Sequence, residues 1–280
     1  MPKQRHVGNT SDVTVFIPIQ TKHWTWNPFA IGRILWRTII AIIATLWGCG
    51  PNYISLEKFM QTCKTGDLLL MESDGIAAWM QTWWTGSTAS HVAVVVVGED
   101  NEVYIYESTF AEPGVVDVIT NTEKSGPMLV RADERIHHYL LHVGFVIRHR
   151  PMWRADEECD QNPKKLDANT RCRGNWTAIA FELARHRANV SFDSNIVDLL
   201  SASIPTIRLF MRSLGLSYFF TQHGQGEFCA EVAAEFYMAV GAMRSSRRAK
   251  RFSPKDFTES AYNLPMNNGF GFYPANWIFY

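Results

Sequence analysis

A glycine-containing loop runs into a strongly helical sequence in the stretch Gly224-Gln-Gly-Glu-Phe-Cys-Ala-Glu-Val-Ala-Ala-Glu-Phe-Tyr-Met-Ala-Val-Gly241. From Glu227 to Val240 the apolar residues recur at helical spacing, which predicts a core-facing helix that Gly241 ends. Cys229 falls in its first turn, where unpaired backbone N–H groups and the helix dipole favour a thiolate, the form that attacks carbonyl carbons. Cys229 is therefore a candidate nucleophile, although a free cysteine by itself is more often a small buried apolar residue.

The composition limits the classes of partner and cofactor. The chain has 280 residues, 46% of them hydrophobic, and its 27 basic residues equal its 27 acidic residues, so we expect no nucleic-acid partner. The cysteines are odd in number and lack the spacing of zinc ligands or of a disulfide framework. We therefore expect no structural zinc and no disulfide framework, and the sequence assigns no metal and no cofactor. The five are Cys49, Cys63, Cys159, Cys172 and Cys229.

The amino-terminal residues 1–50 are predicted to form an arm outside the main domain, which is assigned to 51–280. Within the arm, Phe29 to Trp47 is apolar nearly all round as a helix, except for Arg33 and Arg37 on one face. Its charge-free part is too short for an ordinary membrane span of about 30 Å. Membrane association through residues 29–47 and packing against protein both remain open.

The strongest β signal predicts a hairpin. The runs His91 to Gly98 and Val103 to Glu107 are β-branched and aromatic, and turn residues separate them. A three-residue loop ending in a left-handed Asn101 would place Val103 opposite Val97. His91 and Glu107 would then be diagonal neighbours on one face.

Such neighbours suit acid–base chemistry, because a carboxylate can accept the imidazole N–H and orient the ring. Each residue alone has a plainer interpretation: His91 as a structural histidine and Glu107 as a solvated charge at a strand end. A loop one residue longer or shorter would move Glu107 to the other face. The catalytic interpretation therefore depends on the register of the hairpin.

The remaining pattern alternates between short helices and strands. It predicts helices at Leu56 to Cys63 and Trp176 to Ala188, and strands at Leu68 to Met71 and Leu140 to Arg148. An apolar helical insertion is predicted at about 195–222. Ser253-Pro-Lys-Asp256 predicts the capped start of a last short element, and the apolar end Trp277-Ile-Phe-Tyr280 is expected to pack against the body.

An ordered set of motifs runs through the chain: Gly66-Asp67, Ser90-His91, Glu107, Val190-Ser-Phe-Asp193, Phe228-Cys229-Ala-Glu231 and Ser253-Pro-Lys-Asp256. This set resembles the circularly permuted, NlpC-type papain-like thiol hydrolases. The branch resembled includes YiiX-like bacterial and poxviral proteins and, more distantly, the lecithin retinol acyltransferase group. Its hallmark is the chain order histidine, third polar residue, cysteine.

The resemblance implies an α+β fold in which an antiparallel sheet packs against the cysteine-bearing helix. It implies that Cys229 is the nucleophile, His91 the general base and Glu107 the orienting residue of a cysteine peptidase or amidase. The expected chemistry is hydrolysis of an amide or peptide bond through a thioester, an acyl-enzyme intermediate.

Two alternatives stay open at this stage. One is a lipid acyltransferase or phospholipase of the same fold, acting on a lipid substrate at a membrane. The other is a non-catalytic structural or virion-associated module. A cytoplasmic or membrane-associated location is favoured, and the sequence names no substrate-binding residue.

Overall fold

The protein is described here from a computed structural model that covers residues 52–71, 89–143, 146–153, 174–192, 228–244, 248–258, 264–267, 270–272 and 275–279. All of these residues belong to one structural unit, Ala41–Tyr280. The predicted arm at 1–50, with its apolar helix, and the predicted insertion at about 195–222 lie outside the described residues. Among the helices described, none is both long enough and apolar enough to cross a membrane.

The described chain contains eleven strands, four α-helices and two short 3-10 helices. The strands are β1 (Asn52–Ser55), β2 (Leu68–Met71), β3 (His91–Val97), β4 (Val103–Thr109), β5 (Val116–Asp117), β6 (Thr122–Glu123), β7 (Gly126–Arg131), β8 (Val146–His149), β9 (Pro151–Trp153), β10 (Phe270–Phe272) and β11 (Asn276–Phe279). The α-helices are α1 (Leu56–Thr62), α2 (Ala132–Val143), α3 (Gly174–His186) and α4 (Cys229–Ala239), and the 3-10 helices are Ala249–Arg251 and Pro254–Phe257.

The architecture is mixed α+β around a seven-stranded sheet in the order β1-β11-β8-β2-β3-β4-β7. The sheet is mostly antiparallel, and β1 with β11 is its parallel pair. The carboxyl-terminal strand β11 lies between β1 and β8, and Ile278 is fully buried. The apolar end of the chain thus packs into the body, as its sequence predicts.

The central strands are buried on both faces because helices cover both sides of the sheet. Alternate residues such as Leu70 and Val94 share one core cluster with Val232 of α4. The intervening residues, such as Val95, share a second cluster with Ile136 of α2. Because both faces are covered, β3 is apolar at every position from Val92 to Val97 and does not alternate between apolar and polar residues.

The hairpin forms in the predicted register. Val97 pairs with Val103, Gly98 N–H donates to the Glu102 carbonyl over 2.8 Å, and Asn101 has a φ of 62°. Asparagine tolerates this left-handed conformation better than most residues. The predicted three-residue loop is therefore confirmed.

The Cys229 helix also begins and ends close to prediction. α4 starts at Cys229 with Phe228 as its N-cap, and Gly241 follows it with a φ of 77°. The predicted last element is the 3-10 helix Pro254–Phe257, in which Ser253 and Asp256 form a reciprocal capping box. The helix predicted from Trp176 is observed as Gly174–His186.

One prediction is wrong in part. The run Leu140 to Arg148 was expected to be a strand, but Leu140 belongs to α2, which extends to Val143, and the strand β8 begins only at Val146. By sequence alone the apolar run suits a helix or a strand, and its burial against the sheet decides between them. Ile136 and Leu140, four residues apart, are both buried against the sheet.

Candidate active site

The strands β3 and β4 place His91 beside Glu107. The ring atom Nε2 of His91 lies 2.5 Å from Oε2 of Glu107, and both side chains are almost completely buried. His91 is the first residue of β3, and the register of the hairpin makes Glu107 its diagonal neighbour. The sequence-based prediction that these two residues share a face is therefore confirmed.

The helix α4 brings Cys229 to the same point. Its side chain lies close enough to the His91 ring for its charge to raise the pKa of the imidazole, and only 6% of the residue is exposed. Because Nε2 of His91 is already bound to Glu107, Nδ1 is the ring nitrogen left for the thiol. Cys229, His91 and Glu107 thus form a continuous row, cysteine to imidazole to carboxylate.

The position of Cys229 at the first residue of α4 adds a polar backbone environment. The first N–H groups of an α-helix have no carbonyl one turn earlier to bind. They therefore carry the positive end of the helix dipole toward the thiol. This is the local environment in which an anionic sulfur, or an anionic oxygen formed next to it, is stabilised.

The charge state of the row follows from burial and neighbouring charges. Burial alone would lower the pKa of His91, but the charge of Cys229, hydrogen bonds to Cys229 and Glu107, and the charge of Glu107 raise it to about 10. Burial alone would raise the pKa of Glu107, but Arg135 and His91 lower it to about 2. At neutral pH the carboxylate is therefore ionised and can only accept hydrogen bonds, which assigns the Nε2 proton to His91 as donor.

A buried arginine completes the surroundings of Glu107, and sequence reasoning missed it. Arg135 of α2 donates from Nε to Oε1 of Glu107 over 2.6 Å and from Nη1 to Glu112 over 2.6 Å. Tyr139, one turn later on α2, donates to Oε2 of Glu107 over 3.2 Å. The available signal was the helical spacing of Arg135 and Tyr139 next to Ile136, in a stretch that was not recognised as a helix.

Cys63 is the other described free cysteine and differs from Cys229 in its surroundings. Burial, followed by the negative charge of Asp67, raises the pKa of the Cys63 thiol to about 11. Its thiol donates to the carbonyl of Met60 over 3.5 Å. Cys49, Cys159 and Cys172 lie outside the described residues.

The described residues contain no cluster of three or more histidine, cysteine, aspartate or glutamate side chains that could hold a metal ion. The arrangement found instead is a spatial row of a thiol, an imidazole and an ionised carboxylate. Such a set can supply a nucleophile, a proton acceptor and donor, and an orienting group.

Comparison with known proteins gives distant structural similarity alone. No protein-family model matches the chain, and no curated protein matches it. Among solved structures, the metalloprotein yiiX from Escherichia coli O157:H7 is similar with a TM-score of 0.38 and 14% sequence identity, over 66% of this chain and 69% of that chain.

Proposed function

We propose that this protein is a cysteine-dependent hydrolase that cleaves an amide or peptide bond through a thioester intermediate. The observation that carries the proposal is the position of the His91 ring, which lies 2.5 Å from Glu107 and close enough to Cys229 for the charge of Cys229 to raise the pKa of the imidazole. Each of the three side chains is nearly or completely buried. Such a row matches the roles of nucleophile, base and orienting group in thiol hydrolases.

The proposed first half-reaction is acylation of Cys229. The thiolate attacks the carbonyl carbon, a C–S bond forms, and the carbonyl π electrons move onto oxygen. When the tetrahedral intermediate collapses, the C–N bond breaks and the His91 imidazolium gives its Nδ1 proton to the leaving amine. The product is a thioester on Cys229 and a free amine.

Deacylation reverses the direction of proton transfer. Neutral His91 accepts a proton from water through Nδ1 as the water oxygen attacks the thioester carbon. The C–S bond then breaks, the carboxylic acid leaves, and the thiolate–imidazolium pair is restored. Glu107 keeps its charge throughout and holds Nε2–H, so that Nδ1 always faces the reacting atoms.

The start of α4 is the proposed oxyanion site. The backbone N–H of Cys229 lies in the first helical turn, where it has no acceptor in the preceding turn of the helix. A donor of this kind, fixed before the reaction, stabilises the charge that develops on the carbonyl oxygen. Loss of one such donor in acyl-transfer enzymes costs about 100- to 1,000-fold in rate.

The proposed fold family is the circularly permuted papain-like group. The chain order His91, Glu107, Cys229 and the packing of α4 against β3 and β4 support it. A lipid acyltransferase or phospholipase of this fold and a non-catalytic module are the rival assignments. The described contacts favour neither rival, so both become outcomes of the experiment.

Site-selective alkylation tests the proposal without knowledge of the substrate. The full chain is treated with limiting iodoacetamide at neutral pH, and labelling of each cysteine is followed by peptide mass spectrometry. Cys229 is expected to react much faster than Cys63, whose pKa is raised to about 11. His91→Ala is expected to remove this advantage, whereas Cys63→Ala leaves Cys229 labelling unchanged.

A substrate screen then separates the enzyme classes. The wild type and Cys229→Ala are compared on a peptide and amide library and on a phospholipid panel. Cleavage of amides by the wild type alone supports the proposal, whereas cleavage confined to lipids assigns the rival enzyme. Equal, slow labelling of Cys229 and Cys63 together with no cleavage would refute a catalytic role.

A further inference from the structure

The helix α2 presents one buried guanidinium to two carboxylates. Arg135 is 2% exposed, and its Nε lies 2.6 Å from Oε1 of Glu107. Its Nη1 and Nη2 lie 2.6 and 3.1 Å from the two carboxylate oxygens of Glu112. Glu112 follows β4 and is 30% exposed, so the row of charges runs from the buried site toward solvent.

Stability alone is a poor explanation for this arrangement. Removing a guanidinium and two carboxylates from water costs free energy that their mutual attraction only partly offsets. A well-packed apolar group could fill the same volume without that cost. The geometry at Glu107 points to a different effect, because each contact fixes one of its two oxygens.

We propose, on the basis of the function proposed above, that Arg135 is a positioning residue that fixes the Glu107 carboxylate so that Oε2 faces His91. With Oε1 bound to Arg135, rotation of the carboxylate would break a charge-assisted hydrogen bond. Oε2 is then left for Nε2 of His91 and for the hydroxyl of Tyr139. Glu112 binds the other two guanidinium nitrogens of Arg135 and holds that group in place.

Arg135 also sets the direction of the Tyr139 hydroxyl. Nη2 of Arg135 donates to the Tyr139 oxygen over 2.7 Å, and the guanidinium carbon lies 4.4 Å from the centre of the Tyr139 ring. Because that oxygen accepts from Arg135, its own proton is directed to Oε2 of Glu107, 3.2 Å away. The Tyr139 ring stacks on His91 at a centroid distance of 5.8 Å. One arginine therefore organises both groups that orient the imidazole.

The same contacts control the ionisation of Glu107. His91 from β3, and Arg135 and Tyr139 from α2, are the titratable groups that contact it, and its neighbour on β7 is the apolar Met128. Two of these groups have a further ionisable neighbour, since Cys229 lies beside His91 and Glu112 binds Arg135. Nδ1 of His138 lies 3.6 Å from Glu112. Burial alone would raise the pKa of Glu107, and the charge of Arg135 is the largest influence that lowers it. Without that charge, Glu107 should take up a proton in mildly acidic solution.

The test compares Arg135→Met, Arg135→Lys and the control Arg131→Met in the full chain. Arg131 is a partly exposed arginine of β7, and the ion pairs that involve it are with Glu102, Asp133 and Glu134. One readout is the rate of Cys229 alkylation as a function of pH. The other is an NMR titration of the His91 ring, which needs no catalytic activity.

In Arg135→Met, Cys229 is expected to be alkylated about 10- to 100-fold more slowly at neutral pH, a loss of the size seen when an outer hydrogen-bond partner of a metal-binding histidine is removed. The acid side of its rate profile should move to higher pH, and the His91 resonances should gain a step in mildly acidic solution. In the wild type that step is expected only near pH 2, where Glu107 takes up its proton. Arg131→Met should match the wild type.

Arg135→Lys separates charge from geometry and keeps the test decisive if Arg135→Met does not fold. An ammonium retains the positive charge but cannot hold Glu107 and Glu112 with one rigid fork. We expect no new acidic step, and an alkylation rate between those of Arg135→Met and the wild type. A wild-type rate in folded Arg135→Lys, or an unchanged His91 titration in folded Arg135→Met, would overturn the inference. Slow Cys229 labelling in the wild type would instead count against the proposed function, because the His91 titration is read independently.

Discussion

The replacement Glu107→Gln tests the orienting role at one atom. Glutamine has the same shape but carries an oxygen and an NH2 group where glutamate has two acceptors. Three donors surround this position: Nε2 of His91, Nε of Arg135 and the Tyr139 hydroxyl. Whichever way the amide lies, its NH2 group faces at least one donor.

The two orientations of the amide have different costs. If the oxygen faces Arg135, the NH2 group faces Nε2 of His91, which must then accept, and the ring proton moves to the nitrogen beside Cys229. That is the wrong tautomer for a base, and the corresponding change in a serine protease triad lowers kcat about 10,000-fold. If the oxygen faces His91, the NH2 group faces the Nε–H of the buried Arg135. Two hydrogen-bond donors then oppose each other, and this N–H of the arginine loses its acceptor.

The expected loss in turnover of an amide substrate is therefore about 100- to 10,000-fold, smaller than the losses in Cys229→Ala and His91→Ala. The variant should stay folded but lose about 3 kcal/mol of unfolding free energy. Breaking a buried ion pair typically costs about 3 to 5 kcal/mol, and Arg135 keeps Glu112 as a second partner.

Steady-state kinetics on a substrate from the amide library and urea unfolding measure the two losses. Glu102→Gln is the matched control, because Glu102 lies on the same hairpin, is 49% exposed and pairs with Arg131 over 3.2 Å. An exposed pair of this kind contributes about 0 to 1 kcal/mol. Wild-type turnover and stability in Glu107→Gln would contradict the orienting role and the charge network around it.

Three further predictions address stability and location. The pKa of Glu107 falls from 4.5 to about 2 on folding. About 3 kcal/mol of unfolding free energy should therefore be present above pH 4.5 and be lost as the pH falls toward 2. Urea unfolding measured as a function of pH should show this loss in the wild type and not in Glu107→Gln. Gly126→Ala should lower the unfolding free energy of the protein by about 2 kcal/mol or more, because the added Cβ would lie 2.2 Å from the Val190 carbonyl oxygen at a φ of +112°. In the control Gly114→Ala, the backbone has a φ of +82° and the added Cβ meets nothing within 4 Å, so the loss in the same unfolding assay should be about 1 kcal/mol. If residues 29–47 dock on a membrane, the full chain should float with anionic liposomes at low salt and a chain starting at Pro51 should not; a full chain that stays in the soluble fraction contradicts this.

Two local units of the candidate site follow from residues that are close together in the chain. Turn chemistry at Asn101 and β-branched strands specify the hairpin register, and the two-residue period of a strand then puts Glu107 on the same face as His91. Helical spacing and the terminal Gly241 specify α4 and place Cys229 at its start. These features depend on neighbours along the chain, so the sequence carries them directly.

The way in which these units meet depends on packing between parts of the chain that are distant in sequence. The contact of Cys229 with His91 depends on how α4 packs on the sheet, and the contact of Arg135 with Glu107 depends on α2 covering the other face. The strand β11 forms between β1 and β8, which are far from it in the chain. The extent of α2 was also settled by packing, because a short apolar run such as the one at Leu140 suits a helix or a strand until the surface that buries it is known.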